Sequence, residues 1–262
     1  MVALPQTIDE VIYELDTIIQ DAVSKNNYNA IFAYVYKRTT IEIKRAIEKN
    51  YFYDNPGMEI FDVYFANLYI TAYRDYCKNL PVSGCWQIAL DAGKNKLTYM
   101  QHVLLGMNAH INFDLGITAA YYADKNNIDN IEEIKNDFIK VNNLLFSLVD
   151  EIQDRLARVS PMLFVIDVLG GRYDERYSFL SIEKARKISW KFAKKLWHKE
   201  EEYKLGFQKK MDGKVAKLAS IIASPKFFLL KLSIRFVGAF EKKKIGDVLQ
   251  ALERHYKPNL FS

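Results

Sequence analysis

Apolar residues near the start of the chain fall at three- and four-residue steps: Ile8, Val11, Ile12, Leu15, Ile18 and Ile19. That spacing lays a single stripe along a helix of 3.6 residues per turn and predicts an amphipathic helix from Thr7 to about Ser24. Thr7, with Glu10 three positions later, has the form of a capping box. The same reading predicts helices over Tyr28–Lys49, from Asn55-Pro56-Gly57 to about Lys78, and over Trp86–Gly93, with Leu80-Pro81-Val82-Ser83-Gly84 breaking the chain. A long helix is expected from Lys96 to Ala123, ended by DKNNIDN, and another over Ile131–Arg155. Ser160-Pro161 opens and Gly170-Gly171 closes a short apolar segment, after which Ser181 caps a basic helix reaching Glu202. Beyond Tyr203, KLGFQKKMDGK reads as a linker to two basic, apolar helices.

Composition supports this outline. The 262 residues include only 11 glycines and 6 prolines, so long segments run without breakers, and 50% hydrophobic residues supply a substantial core. The expected fold is all-α, a multi-helix bundle around a buried central helix. A core domain over 1–203 would carry a basic helical extension over 204–262. From Gly171 onward there are 22 Lys/Arg against 10 Asp/Glu, so the C-terminal third is about +12 and the remainder about −7.

The N-terminal MVALPQTIDEVIYELD lacks the basic and apolar regions of a secretion signal. PKFFLLKLSIRFVGAF is interrupted by Lys231 and Arg235 and is short for a bilayer crossing. Cys77 and Cys85 form neither a disulfide framework nor a zinc knuckle, and a reduced, cytoplasmic setting is expected.

Candidate chemistry concentrates in QHVLLGMNAHINFDLGITAA, residues 101–120. On a helix His102, Gly106, His110 and Asp114 share an arc of about 120°, while apolar residues occupy nearly every other direction. A helix buried on all sides would bury these polar groups too, and a buried carboxylate or imidazole needs a partner. On the third helix Asn67, Thr71, Arg74 and Lys78 form one face, and Asp62 shares the opposite face with Phe65, Tyr69, Tyr73 and Tyr76, so Asp62 points inward. Asp137, at the margin of its helix's apolar stripe, is a weaker candidate partner or merely a surface residue.

Three readings of the set stand side by side, one of them a pocket for an organic ligand. His102, His110, Asp114 and Asp62 have the donor types of a divalent-metal site such as zinc, with an open position for a nucleophilic water. In that reading His110, Asp114 and Asp62 act catalytically in a metal-dependent hydrolase, while Asn108 and Asn112 orient them or the substrate. Alternatively, His–Asp and Asn–backbone bonds only fix the packing of a central helix. No HExxH and no ExxH pair is present.

The residues FDVYFANLYITAY (61–73), Trp86 and HVLLGMNAHINFDLG (102–116) resemble the signature of a mostly bacterial, all-helical domain-of-unknown-function family. Its pattern is a Phe-Ala-x-x-Tyr helix, a Trp, then His-x-x-x-Gly-x-Asn-Ala-His-Ile-Asn-x-Asp-Leu. The resemblance extends from the N-terminus through Trp190. It implies a shared helical fold and points to Asp62, Tyr69, His102, Asn108, His110, Asn112 and Asp114, with Tyr69, Asn108 and Asn112 as ligand-binding candidates; it implies no reaction.

The remaining signals are weaker. Ser181-Ile-Glu-Lys184 matches SxxK, but Ser181 sits where a helix cap belongs, and GxSxG, P-loop and Rossmann motifs are absent. His198 and His255 stand among charged residues. The lysine- and aromatic-rich C-terminal helices support a rival function: a non-enzymatic protein contacting an anionic partner or a membrane surface through 204–262, a pattern that nucleic acid fits less well.

Overall fold

The computed structural model describes residues 3–95, 97–160, 182–225, 228–241 and 244–253. Among them the chain is helical throughout, with no strand. The first three helices are α1 (Ile8–Ser24), α2 (Asn29–Glu48) and α3 (Asn55–Cys77). Thr7 caps α1 by accepting from the Glu10 amide, and Asp54 caps α3 by accepting from the Gly57 amide, each satisfying a donor that the first turn leaves open.

The short α4 (Gly84–Ala92) leads to α5 (Tyr99–Ala109), a π-helical turn (His110–Asp114) and α6 (Leu115–Lys125), which together form the long central element. A 3-10 turn (Ile131–Ile134) precedes α7 (Lys135–Val159). Then come α8 (Ile182–Leu196), α9 (Glu201–Ala223), α10 (Phe228–Phe240) and α11 (Ile245–Glu253).

The central element is buried on nearly all sides, as its uninterrupted hydrophobicity requires. α2, α4 and α9 pack on α5, α3 and α8 pack on α6, and α3, α8 and α9 reach the π turn. α2 and α11 pack on α7.

Carboxylates from far along the chain accept from amides at or just before three helix starts. Asp137 of α7 accepts from the amides of Tyr53 and Asp54, both at 2.9 Å. Asp212 of α9 accepts from Gly84 at 2.7 Å and Cys85 at 2.8 Å. Glu241 accepts from Tyr99, and the Ser160 hydroxyl donates to it. The amide dipoles at a helix start favour negative charge.

Two sequence expectations change. The 204–214 stretch is no linker but the first half of α9, which crosses position 203 without a break. Gly206 and Gly213 face open space, and the helix is held by Met211, Val215, Ala219 and Ile222 on its buried stripe. Asp137 is buried rather than on the surface, because its carboxylate serves the start of α3. The segment around 161–171, the Ser181 cap and His255 lie outside the described residues. Among the described residues no helix is long and apolar enough to cross a membrane.

Candidate functional site

The π turn at His110–Asp114 is the local event on which the site rests. One turn with an extra residue shifts the backbone register, and such turns occur frequently at functional positions. The Ile111 carbonyl in the turn meets the Ser189 hydroxyl of α8, which also lies 3.0 Å from the Ala185 carbonyl of its own helix. Within the turn, Nδ1 of His110 lies 3.1 Å from Oδ2 of Asp114, and the Trp86 indole N–H donates to the same oxygen at 2.9 Å.

The imidazole of His110 is enclosed by rings. Phe65 stacks on it at 3.6 Å between centroids with 8° between planes, and Tyr36 meets it edge-on at 4.4 Å. Phe32, Tyr69 and Trp86 complete the surround. Phe32 reaches this position because Gly106 has no side chain: a Cβ there would fall 2.2 Å from the Phe32 ring.

Burial holds His110 well below the ordinary histidine value, so it is neutral near pH 7. The same burial drives Asp114 above the ordinary carboxylate value, against the opposing Trp86 hydrogen bond. Nε2 of His110 has no hydrogen-bond partner.

A cavity of about 220 Å³ adjoins this group, and Tyr36, Asp62, Phe65, His110 and Arg186 line it together with aliphatic side chains. Four of these residues bring an orphaned polar atom: His110 Nε2, Asp62 Oδ2, the Tyr36 hydroxyl and Arg186 Nε are all buried and unpartnered. Burial pushes the Asp62 carboxyl up to about 7, with the Glu59 charge adding to the rise. It pushes the Arg186 guanidinium down to about 9, which leaves it cationic at neutral pH. Arg186 lies over the Phe138 ring at 4.3 Å and donates to the Phe138 carbonyl. A second cavity, about 380 Å³, shares Ile43, Asp62, Phe65, Val141 and Arg186 with the first.

The sequence candidates therefore divide. His110, Asp114 and Asp62 belong to one neighbourhood, with Tyr69 beside it, wholly buried and its hydroxyl unpartnered. His102 is elsewhere: its ring stacks on Tyr28 at 5.2 Å and 8°, and burial pulls it down to about 4. Asn108 donates to the Val215 carbonyl of α9 and accepts from Asn112, so this pair turns toward α9.

Among the described residues no three His, Cys, Asp or Glu side chains are arranged to hold a metal ion. Of the set His102, His110, Asp114 and Asp62, His110 and Asp114 pair with each other and His102 packs on Tyr28. Arg186 and Tyr36 escaped the sequence reading. Arg186 falls three and four positions before Ser189 and Trp190, on the buried stripe of a basic helix, and that placement was its available signal.

No curated protein and no solved structure matches the chain. A sequence model described as a family of unknown function, DUF5995, matches residues 8–225, which takes in the whole central element, Asp62 and Arg186, and the chain belongs to that family.

Proposed function

We propose that the protein binds a small, largely apolar molecule in the cavity beside His110 and that His110, oriented by Asp114, transfers a proton to or from it. The observation carrying this reading is that four residues lining one cavity, His110, Asp62, Tyr36 and Arg186, each leave a buried polar atom without a hydrogen-bond partner. Buried polar groups are ordinarily paired, and four lining residues that each leave one unpaired single this cavity out as a ligand site.

His110 Nδ1 and the Trp86 indole nitrogen both meet Asp114 Oδ2, and an ionised Asp114 accepts from both, which puts the imidazole proton on Nδ1. Nε2 then carries the lone pair, as a general base requires. Asp62, with its carboxyl value raised toward neutrality, is placed to serve as the matching acid. Hydrolysis is the reaction this pairing suits, with water as the proton source.

Turnover of 4-nitrophenyl acetate, which demands little recognition, tests the assignment. His110→Gln should lower the rate by about 10²-fold, the lower end of what general-base catalysis contributes, with helical circular dichroism unchanged. Equal turnover in the two proteins would overturn it.

A second reading rests on α10, where Leu232, Phe236 and Phe240 form an exposed stripe beside exposed Lys231 and Arg235. Such a helix suits an anionic membrane surface. Flotation with phosphatidylserine vesicles should depend on this stripe and weaken with salt. Flotation unaltered in Leu232→Ser/Phe236→Ser would rule it out.

A further inference from the structure

α10 presents three faces. At about 100° per residue, Ser233 and Val237 fall together and are buried. Lys231, Ile234, Arg235 and Gly238 occupy the arc on one side of them, and all four line a groove of about 690 Å³. Its other walls are the start of α5, the end of α9, and Gly93, Lys94, Leu97 and Thr98 between α4 and α5. Leu232, Phe236 and Phe240 form the remaining arc, outside the groove, and are 54%, 47% and 51% exposed.

Charge in the groove is one-sided. Lys231 and Arg235, one helical turn apart, are exposed and meet no carboxylate among the described residues. Lys94 lines the same groove while lying over the Tyr76 ring. Glu241 is the single acidic side chain of the lining among the described residues; it is buried, and its carboxylate already accepts from the Tyr99 amide and the Ser160 hydroxyl. The complement of this groove is an anion.

The position of the cations selects the kind of anion. Lys231 and Arg235 stand on α10 between the groove and the apolar stripe, so that burying the stripe among acyl chains sets both at the depth of lipid phosphates. A phosphomonoester there carries a charge of about −1.5 to −2 and three acceptor oxygens, which suit a guanidinium and a neighbouring ammonium better than a singly charged headgroup does. At about 30 Å³ for each water-sized group, the groove exceeds a phosphate several times over, so a headgroup enters without displacing a wall.

We propose that this groove takes the phosphomonoester headgroup of a membrane lipid, a phosphatidate or a phosphoinositide, with Lys231 and Arg235 on its phosphate while Leu232, Phe236 and Phe240 enter the acyl layer. This rests on the reading of α10 as a membrane-surface helix and adds the headgroup that the helix selects.

Flotation of the full chain with phosphatidylcholine vesicles carrying either phosphatidic acid or phosphatidylserine, at matched surface potential, tests the assignment. Phosphatidic acid should bind about fivefold more tightly, the worth of one Lys or Arg at an anionic surface. Lys231→Gln/Arg235→Gln should abolish that preference with helical circular dichroism unchanged. Lys209→Gln/Lys210→Gln, which removes the same charge from exposed positions of α9, should weaken both lipids alike and keep the preference. Equal flotation with the two lipids, or a preference that survives Lys231→Gln/Arg235→Gln, overturns the headgroup assignment and leaves the membrane reading intact as long as Leu232→Ser/Phe236→Ser still abolishes flotation. Flotation indifferent to Leu232→Ser/Phe236→Ser overturns both. Glycerol 3-phosphate that binds in calorimetry as tightly as the vesicles do would assign the groove to a soluble phosphate and overturn the lipid as its source.

Discussion

Nδ1 of His110 faces Oδ2 of Asp114 at 3.1 Å across a single π-helical turn, and the Trp86 indole holds that oxygen from the other side. The pair is sealed among aromatic rings, so its protonation is governed by burial rather than by bulk solvent. Long-range ¹H–¹⁵N NMR should therefore show His110 neutral at pH 7, protonated on Nδ1, and still neutral at pH 5. Asp114→Asn should shift the proton toward Nε2. A His110 ring titrating at the ordinary histidine value would contradict the assignment.

Asp62 links stability to pH. Its unfolded value is near 3.8 and its folded value is raised to about 7 by burial. Between those values the folded chain keeps a proton that the unfolded chain has released, so the Asp62 contribution to stability falls as pH rises across the window and is constant above it. At about 1.4 kcal/mol per pH decade the full effect is on the order of 4 kcal/mol at most. His102, pulled down to about 4, acts oppositely between about pH 4 and 6.5, and Glu241, raised to about 7, acts in the same direction as Asp62. The informative quantity is thus the difference between Asp62→Asn and the parent. The variant should gain relative stability from pH 4 to pH 7 in urea titrations; a pH-independent difference would contradict this account.

Gly106→Ala should destabilise the protein by about 1–3 kcal/mol, the usual cost of forcing an added group into a packed core. The new Cβ would meet the Phe32 ring at 2.2 Å. Phe32 cannot yield freely, because it abuts Tyr69, Trp86 and His110. Guanidinium denaturation measures the loss, and the His110 ring resonances should move with it. An unchanged midpoint would mean that Phe32 has room the structure does not show.

Periodicity carried much of this fold because it reports on which face of a helix is wet. It placed Thr7 at a cap, turned Asp62 inward and marked the central helix as buried all round. It also put His110 and Asp114 on one side, although the π turn that joins them leaves no periodic trace, and its Ile111 carbonyl meets Ser189, 78 residues away. The same limit hid Arg186, whose buried position is set by Phe138 in another helix. It hid the role of Asp137 as well, because a carboxylate serving a distant helix start looks like any surface carboxylate in its own sequence. Spacing also mistook the first half of α9 for a linker: two exposed glycines weaken a helix locally, but burial of Met211, Val215 and Ala219 outweighs them.

The cap supplied by Asp212 offers the sharpest test of such long-range support. α4 spans only nine residues, and Ser83 before it makes no side-chain cap, so the helix is too short to be stable alone. Asp212 accepts from the first two amides, Gly84 and Cys85, and ties α4 to α9. Removing it strands two amide donors and frees the helix start that carries Trp86, the donor to Asp114. Asp212→Ala should cost about 1–2 kcal/mol, in the range of lost helix caps, and Asp212→Asn, which keeps one acceptor, should cost less. Amide exchange at Gly84 and Cys85 should accelerate in proportion, and the Trp86 indole proton should lose protection next. Rapid exchange confined to α9, with α4 untouched, would show that α4 is held by side-chain packing and not by this carboxylate.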